Sequence, residues 1–198
     1  MIFSLFQTTK KEDPRKHFRY PLRPLPRIAV FSDTLIVAPP LRRFHDTVLP
    51  DLRSAGVDTL AAPARMLSNA DFRGWRPSHP IIAFTGVQHG FLFDYLRNRI
   101  WVELGVPVFE QLLDVDGRVI ATECDAHSGL HLEPGVQGSL VGRTLHVEGH
   151  TTGLSARVVT GLCGCGRPGE RLYDTRAAHI SAPAAARASL DSPAVERI

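Results

Sequence analysis

All three cysteines of this 198-residue chain fall in two short glycine-bearing stretches, "ECDAHSGLH" from Glu123 to His131 and "LCGCGRP" from Leu162 to Pro168. If the two stretches meet in space, the chain between them must double back, and this constrains the fold more than any other feature. In a reducing compartment three thiols make no disulfide framework, so metal binding, nucleophilic catalysis and plain burial compete. A catalytic thiol requires a base and an activating environment, and no nucleophile signature surrounds these cysteines. Chance burial does not account for three cysteines lying in two turn motifs beside histidines. Metal binding fits best. A Cys-x-Cys pair can turn two sulfurs toward one ion, with Gly164 and Gly166 freeing the backbone for a tight loop. A tetrahedral zinc site then needs two further nitrogen or sulfur ligands.

Strand parity selects those two ligands. Ser128-Gly129 has the composition of a two-residue hairpin turn, which would place His127 opposite Leu130, Ala126 opposite His131 and Cys124 opposite Glu133. Side chains alternate faces along a strand, so Cys124 and His131 share a face as diagonal neighbours roughly 7 Å apart or less. His127 points to the opposite face and is the reserve ligand. The expected set is Cys124, His131, Cys163 and Cys165, a Cys3His zinc site.

The rest of the chain reads as α/β. Residues 1–27 carry a charge cluster and closely spaced prolines and are expected to form an extended basic, proline-rich arm. "IAVFS" and "TLIVA" read as short strands, as do "DTLAA" and "HPIIAFTG" with a short helix at Ala64 to Leu67 between them. Leu41 to Ala55 shows helical spacing that Gly56 ends, with a break at Pro50. Phe91 to Leu104 is the clearest helix, with an apolar face of Phe91, Leu92, Tyr95, Leu96, Ile100 and Leu104 and a terminating Gly105. "VPVFEQLLD" and "RVIATEC" read as strands flanking a turn, and short strands separated by Gly and Pro follow. The expected architecture is a single domain over 28–172: a small Rossmann-like α/β layer to about Leu113, then a β-rich zinc-binding subdomain over about 118–172. Residues 173–198, rich in Ala, Ser and Pro, are expected to form a loosely ordered tail.

Composition excludes more than it identifies. The content of 43% hydrophobic and 22% charged residues is that of an ordinary globular chain. No apolar run reaches the ~18 residues of a membrane span, and "MIFSLF" lacks the basic flank of a signal peptide, so a cytoplasmic address is expected. The net charge of +3 is spread along the chain without an aromatic-interleaved basic stripe, which argues against nucleic acid as a partner. "LLDVDGRV" lacks the full ligand pattern of a calcium loop, so Asp114 and Asp116 are expected in a hairpin turn. His89, in "TGVQHGF", lies at a strand-to-helix turn, where α/β folds place ligand groups, though a capping or solvated role is the plainer expectation.

"ATECDAHSGLHLEP" followed by "CGCGRP" resembles the zinc-binding motifs of the phenylacetate-CoA ligase branch of adenylate-forming (AMP-binding) enzymes. The resemblance implies a structural zinc held at Cys124, His131, Cys163 and Cys165. "HPIIAFTGVQHGFLFDYLRNRIWVELGVPVFE" is similar to the strand, helix and strand that precede the adenylation motif, so the likeness covers about Pro50 to Leu172. The chain departs from the family where nucleotide chemistry resides. "EQLLDVDG" stands where a Tyr-Gly-x-Thr-Glu type motif holds ATP and magnesium, and Leu154 in "TTGLS" replaces the ribose-binding Asp. Only three lysines occur, Lys10, Lys11 and Lys16, and no lid segment with a catalytic lysine follows Leu172. The expected function is that of a zinc-stabilised, non-catalytic, stand-alone relative of a ligase subdomain, a binding or scaffold protein with no catalytic residues. The alternatives are a component of a split acyl/aryl-CoA ligase, active only with a ligase-like protein partner, and a binder of small acyl or aryl molecules near Gly86 and His89.

Overall fold

The computed structural model describes residues 13–38, 41–45, 52–141, 143–148 and 150–178. In chain order its strands are β1 (Ile28–Phe31), β2 (Arg42–Phe44), β3 (Thr59–Pro63), β4 (Ile81–Thr85), β5 (Val108–Leu113), β6 (Val119–Glu123), β7 (Leu130–Leu132), β8 (Gly138–Val141), β9 (Thr144–Val147), β10 (His150–Thr160) and β11 (Glu170–Ala177). The helices are α1 (Ala64–Ser68) and α2 (Asp94–Leu104), with a single 3-10 turn at Pro14–Lys16.

β1, β3, β4 and β5 are buried at every position. Continuous apolar strands of this kind need both faces of a sheet covered, and they pair here in parallel in the order β2-β1-β3-β4-β5. On one face Leu60, Ala62, Ile81 and Ala83 pack under α1, α2 and the Phe72–Trp75 loop, with Leu96, Ile100 and Leu104 projecting from α2 at helical spacing. On the other face the cover is extended chain. Phe18 meets the Phe84 ring edge-on at 5.9 Å, Tyr20 donates to the Pro80 carbonyl at 3.0 Å, and Leu35 joins the same cluster. Over its described part, 13–27, the arm is therefore packed against the sheet.

The Rossmann-like layer leading into a separate zinc subdomain is corrected. Hydrogen bonding passes from β5 into antiparallel β6, registering Gln111 with Thr122 and Leu112 with Ala121. It continues through β7, β11, β10, β9 and β8, so one mixed sheet of eleven strands spans the described residues. The only α-helices among them are of five and eleven residues. Apolar runs predict buried parallel strands correctly but do not reveal what covers them; extended chain takes the second face, where a doubly wound layer would place helices.

Smaller expectations shift too. Arg42–Phe44 pairs with β1, and Phe44 stacks on Phe31 at 5.0 Å, where a helix over Leu41 to Ala55 was expected; residues 46–51 of that span, with Pro50, lie outside the described residues. "TLIVA" forms only an isolated bridge, Ile36 to His17. α2 begins at Asp94, and Tyr95, expected on its buried face, is 63% exposed. β11 runs to Ala177, through the boundary expected at Leu172, because its partners β7 and β10 extend its ladder; residues 179–198 lie outside the described residues.

Candidate metal centre

Three segments bring the site together. Cys124 directly follows β6, His131 sits on β7, and Cys163 and Cys165 lie in the β10–β11 loop. β11 pairs with β7, registering Arg171 with His131, so that loop returns to the β6–β7 end of the sheet. The loop closes on itself. The Cys163 amide donates to the Arg167 carbonyl and the Gly166 amide to the Cys163 carbonyl, both at 2.9 Å. Gly166, at φ +83°, takes the left-handed backbone that this turn requires.

The ligating atoms of Cys124, His131, Cys163 and Cys165 all lie within 4.8 Å of one another. Cys124 Sγ and Cys163 Sγ are 3.6 Å apart, as are Cys165 Sγ and His131 Nε2. A disulfide would need roughly 2.05 Å. A tetrahedral ion with metal–sulfur bonds of about 2.3 Å and a metal–nitrogen bond of about 2.0 Å sets its ligands about 3.5–3.8 Å apart, close to both separations. Cys124, Cys163 and His131 are buried and Cys165 is half-buried. Burial, reinforced by the Arg167 and Arg171 guanidiniums, pushes the His131 imidazole below its ordinary range and favours the neutral, coordinating form. Arg167, with Nε 3.5 Å from Cys165 Sγ, draws that thiol down to about 7, while burial pushes the Cys124 thiol up. These four residues can hold a metal ion, and their thiolate-rich donor set is compatible with zinc.

The hairpin differs from expectation while its consequence survives. His131 registers opposite Thr122, where Ala126 was expected, and the connection is the loop from Cys124 to Gly129. A displacement of four residues is even, so the alternation of faces is preserved, and Cys124 lies two residues beyond Thr122 on the His131 side. The reserve ligand His127 is not in the cluster. It has φ +46°, its ring stacks on Phe109 at 4.8 Å, and its Nδ1 lies 2.9 Å from Glu123 Oε1.

Sequence reading missed a second polar group on that opposite side. Arg97 donates through Nη2 to Glu110 Oε2 at 3.2 Å and to Glu123 Oε2 at 2.9 Å. Thr85 Oγ1 donates to Glu110 at 2.7 Å, and the Glu110 amide to Glu123 at 2.9 Å. Both carboxylates are buried, and desolvation pushes the Glu110 carboxyl above its ordinary range. The available signal was an acidic residue in each of two largely apolar strands, Glu110 within β5 and Glu123 at the end of β6.

Asp114 accepts from the Asp116 and Arg118 amides, both at 2.9 Å, as a turn residue does. His89 is buried, its carbonyl accepts from the Arg65 amide at 3.0 Å, and neither ring nitrogen has a hydrogen-bond partner. Leu154 is 1% exposed in the core with Leu112, Leu130 and Leu145. Among the described residues no helix is long and apolar enough to cross a membrane. No protein-family profile matches this chain, and no curated protein matches it.

Proposed function

We propose that this chain is a zinc-stabilised, non-catalytic binding or scaffold protein related to a subdomain of the phenylacetate-CoA ligases. The observation that carries the proposal is the convergence of Cys124, His131, Cys163 and Cys165, from three separate segments, to within 4.8 Å. The zinc is structural: all four positions are filled by protein ligands, which leaves no open site for a reacting water or substrate. A thiolate-rich site of this kind suits a reducing compartment, in keeping with a cytoplasmic address.

The relation to the ligases is supported by the motif residues and by the order of the segments that carry them. Loss of adenylation chemistry is supported by the environment of the departing positions. Leu154 sits in an apolar core that would not accept a ribose-binding carboxylate. In β5, Glu110 is engaged by Arg97 and Thr85, and Gln111 Nε2 donates to the Arg19 carbonyl at 2.7 Å. Isothermal calorimetry of the metal-loaded chain with ATP and magnesium tests the non-catalytic part. Each lost contact removes about 1.5–3 kcal/mol, so no saturable heat is expected, and a dissociation constant below about 100 μM would contradict the reading.

A further inference from the structure

The polar group on the His127 side lies at the bottom of a cavity of about 660 Å³ between α2 and the β6–β7–β11 end of the sheet. That volume is in the range of small-molecule sites. Arg97, Glu110, Glu123 and His127 contribute to its lining, with Leu130 and Leu172 as apolar wall. Phe93, Trp101 and Tyr173 also line it, and Phe93 and Trp101 are more than half exposed.

We propose that this cavity is a binding site for a small organic cation, an ammonium or amidinium group carried on an apolar or aromatic body. The charge balance of the floor points to this class. Two carboxylates, Glu110 and Glu123, each less than a tenth exposed, share the Arg97 guanidinium, and Glu123 Oε1 also lies 2.9 Å from His127 Nδ1. Buried charges require compensation, and one guanidinium neutralises one carboxylate. With a neutral His127 ring as the hydrogen-bond partner of Glu123, one negative charge remains for an incoming cation to balance. Phe93 and Trp101 offer ring faces of the kind that attract a desolvated cation, while the Tyr173 ring already packs against the Arg157 and Arg171 guanidiniums at 5.1 and 5.9 Å. Arg143 and Arg176 stand at the rim, exposed, where water and salt screen them. This inference rests on the reading of the chain as a binding protein and is independent of which metal fills the cysteine site.

Two tryptophans provide the readout: Trp101 lines the cavity, and Trp75 is buried in the core under α2. The metal-loaded full chain, its metal content measured in the same sample, is titrated with benzamidine or benzylamine while both indole N–H resonances are followed. The uncharged benzyl alcohol and the anionic benzoate are the controls. The Trp101 resonance is expected to move saturably with either cation while Trp75 stays fixed, and both controls should bind at least about tenfold more weakly. Glu110→Gln, which preserves shape and removes the charge, should weaken cation binding by at least about tenfold. Should that variant fail to fold, Trp101→Ala, on an exposed helix face, should weaken binding about two- to thirtyfold by calorimetry. Absence of a saturable Trp101 shift, equal binding of benzyl alcohol or benzoate, or cation affinity unchanged in Trp101→Ala would each overturn the proposal. A full metal complement alongside such a failure would leave the zinc reading intact.

Discussion

At the scale of single residues, His127 and His131 are four positions apart and have opposite roles. His131 is buried and its Nε2 is directed at Cys165 Sγ, whereas His127 lies half-exposed over Phe109 with Glu123 as its partner. On the proposed zinc reading His131→Ala removes one of four ligands, and metal-binding energy in such sites is folding energy, on the order of 10 kcal/mol for a whole site. The expected outcome is loss of the metal and a large drop in thermal midpoint. His127→Ala loses a partly solvated hydrogen bond and a ring contact, so it should keep its metal and lose about 1 kcal/mol. Thermal melts with parallel metal analysis on both variants check this, and the reverse order of effects would contradict the assigned ligand set. The convergence of Cys124, His131, Cys163 and Cys165 was legible in the sequence because parity tolerates an even register error. The Glu110, Glu123 and Arg97 group was not: its members are separated in sequence and meet only through the pairing of β5 with β6 and the docking of α2.

At the scale of elements, α2 shows what local pattern can and cannot predict. Its end was legible: Gly105 adopts φ +71° and its amide returns to the Trp101 carbonyl at 2.9 Å. A Cβ at Gly105 would meet nothing within 4 Å, so Gly105→Ala tests backbone conformation alone. It should cost about 1 kcal/mol in chemical denaturation, the ordinary penalty for a left-handed non-glycine residue, with metal content unchanged. A neutral result would show that the helix ends elsewhere in solution. Its outward face was not legible. Tyr95 and Trp101 are both well exposed, since apolarity alone does not distinguish a core contact from a surface position. Likewise the spacing of Leu41, Phe44 and Leu52 read as helical, yet β1 needed a neighbour on its open side and took Arg42–Phe44. That demand is tertiary, and it overrides local periodicity.

At the scale of the whole molecule, the sheet has a narrow waist, and the cluster of Cys124, His131, Cys163 and Cys165 lies across it. β7 is only three residues long and registers with β11 through two residue pairs, Arg171 with His131 and Leu172 with Leu130. On one side stand the parallel strands and β6, and on the other β8 to β11. Cys124 and His131 come from one flank and Cys163 and Cys165 from the other, so an ion bound to all four cross-links the sheet where its ladder is thinnest. Chelation should therefore loosen the molecule unevenly. Hydrogen exchange after metal removal is expected to accelerate in the 124–131 and 161–172 segments and in β8 to β11, while β1, β3 and β4 stay protected. Cys163→Ser should reproduce the same pattern. Uniform acceleration, or none, would contradict a clamp at the waist. The sequence indicated the site but not the waist, because the lengths of β7 and β11 depend on partners remote in the chain.

The central claim is that these four side chains hold one structural zinc, and metal stoichiometry tests it most directly. Protein purified without an affinity tag, and without added metal, should carry about one zinc per chain by elemental analysis, because a thiolate-rich tetrahedral site favours zinc among the available divalent ions. Removing that zinc with a chelator should lower the thermal midpoint in the same preparation. A chain that carries no metal, or iron with a visible charge-transfer band, or that loses its zinc with no change in melting, would contradict the account.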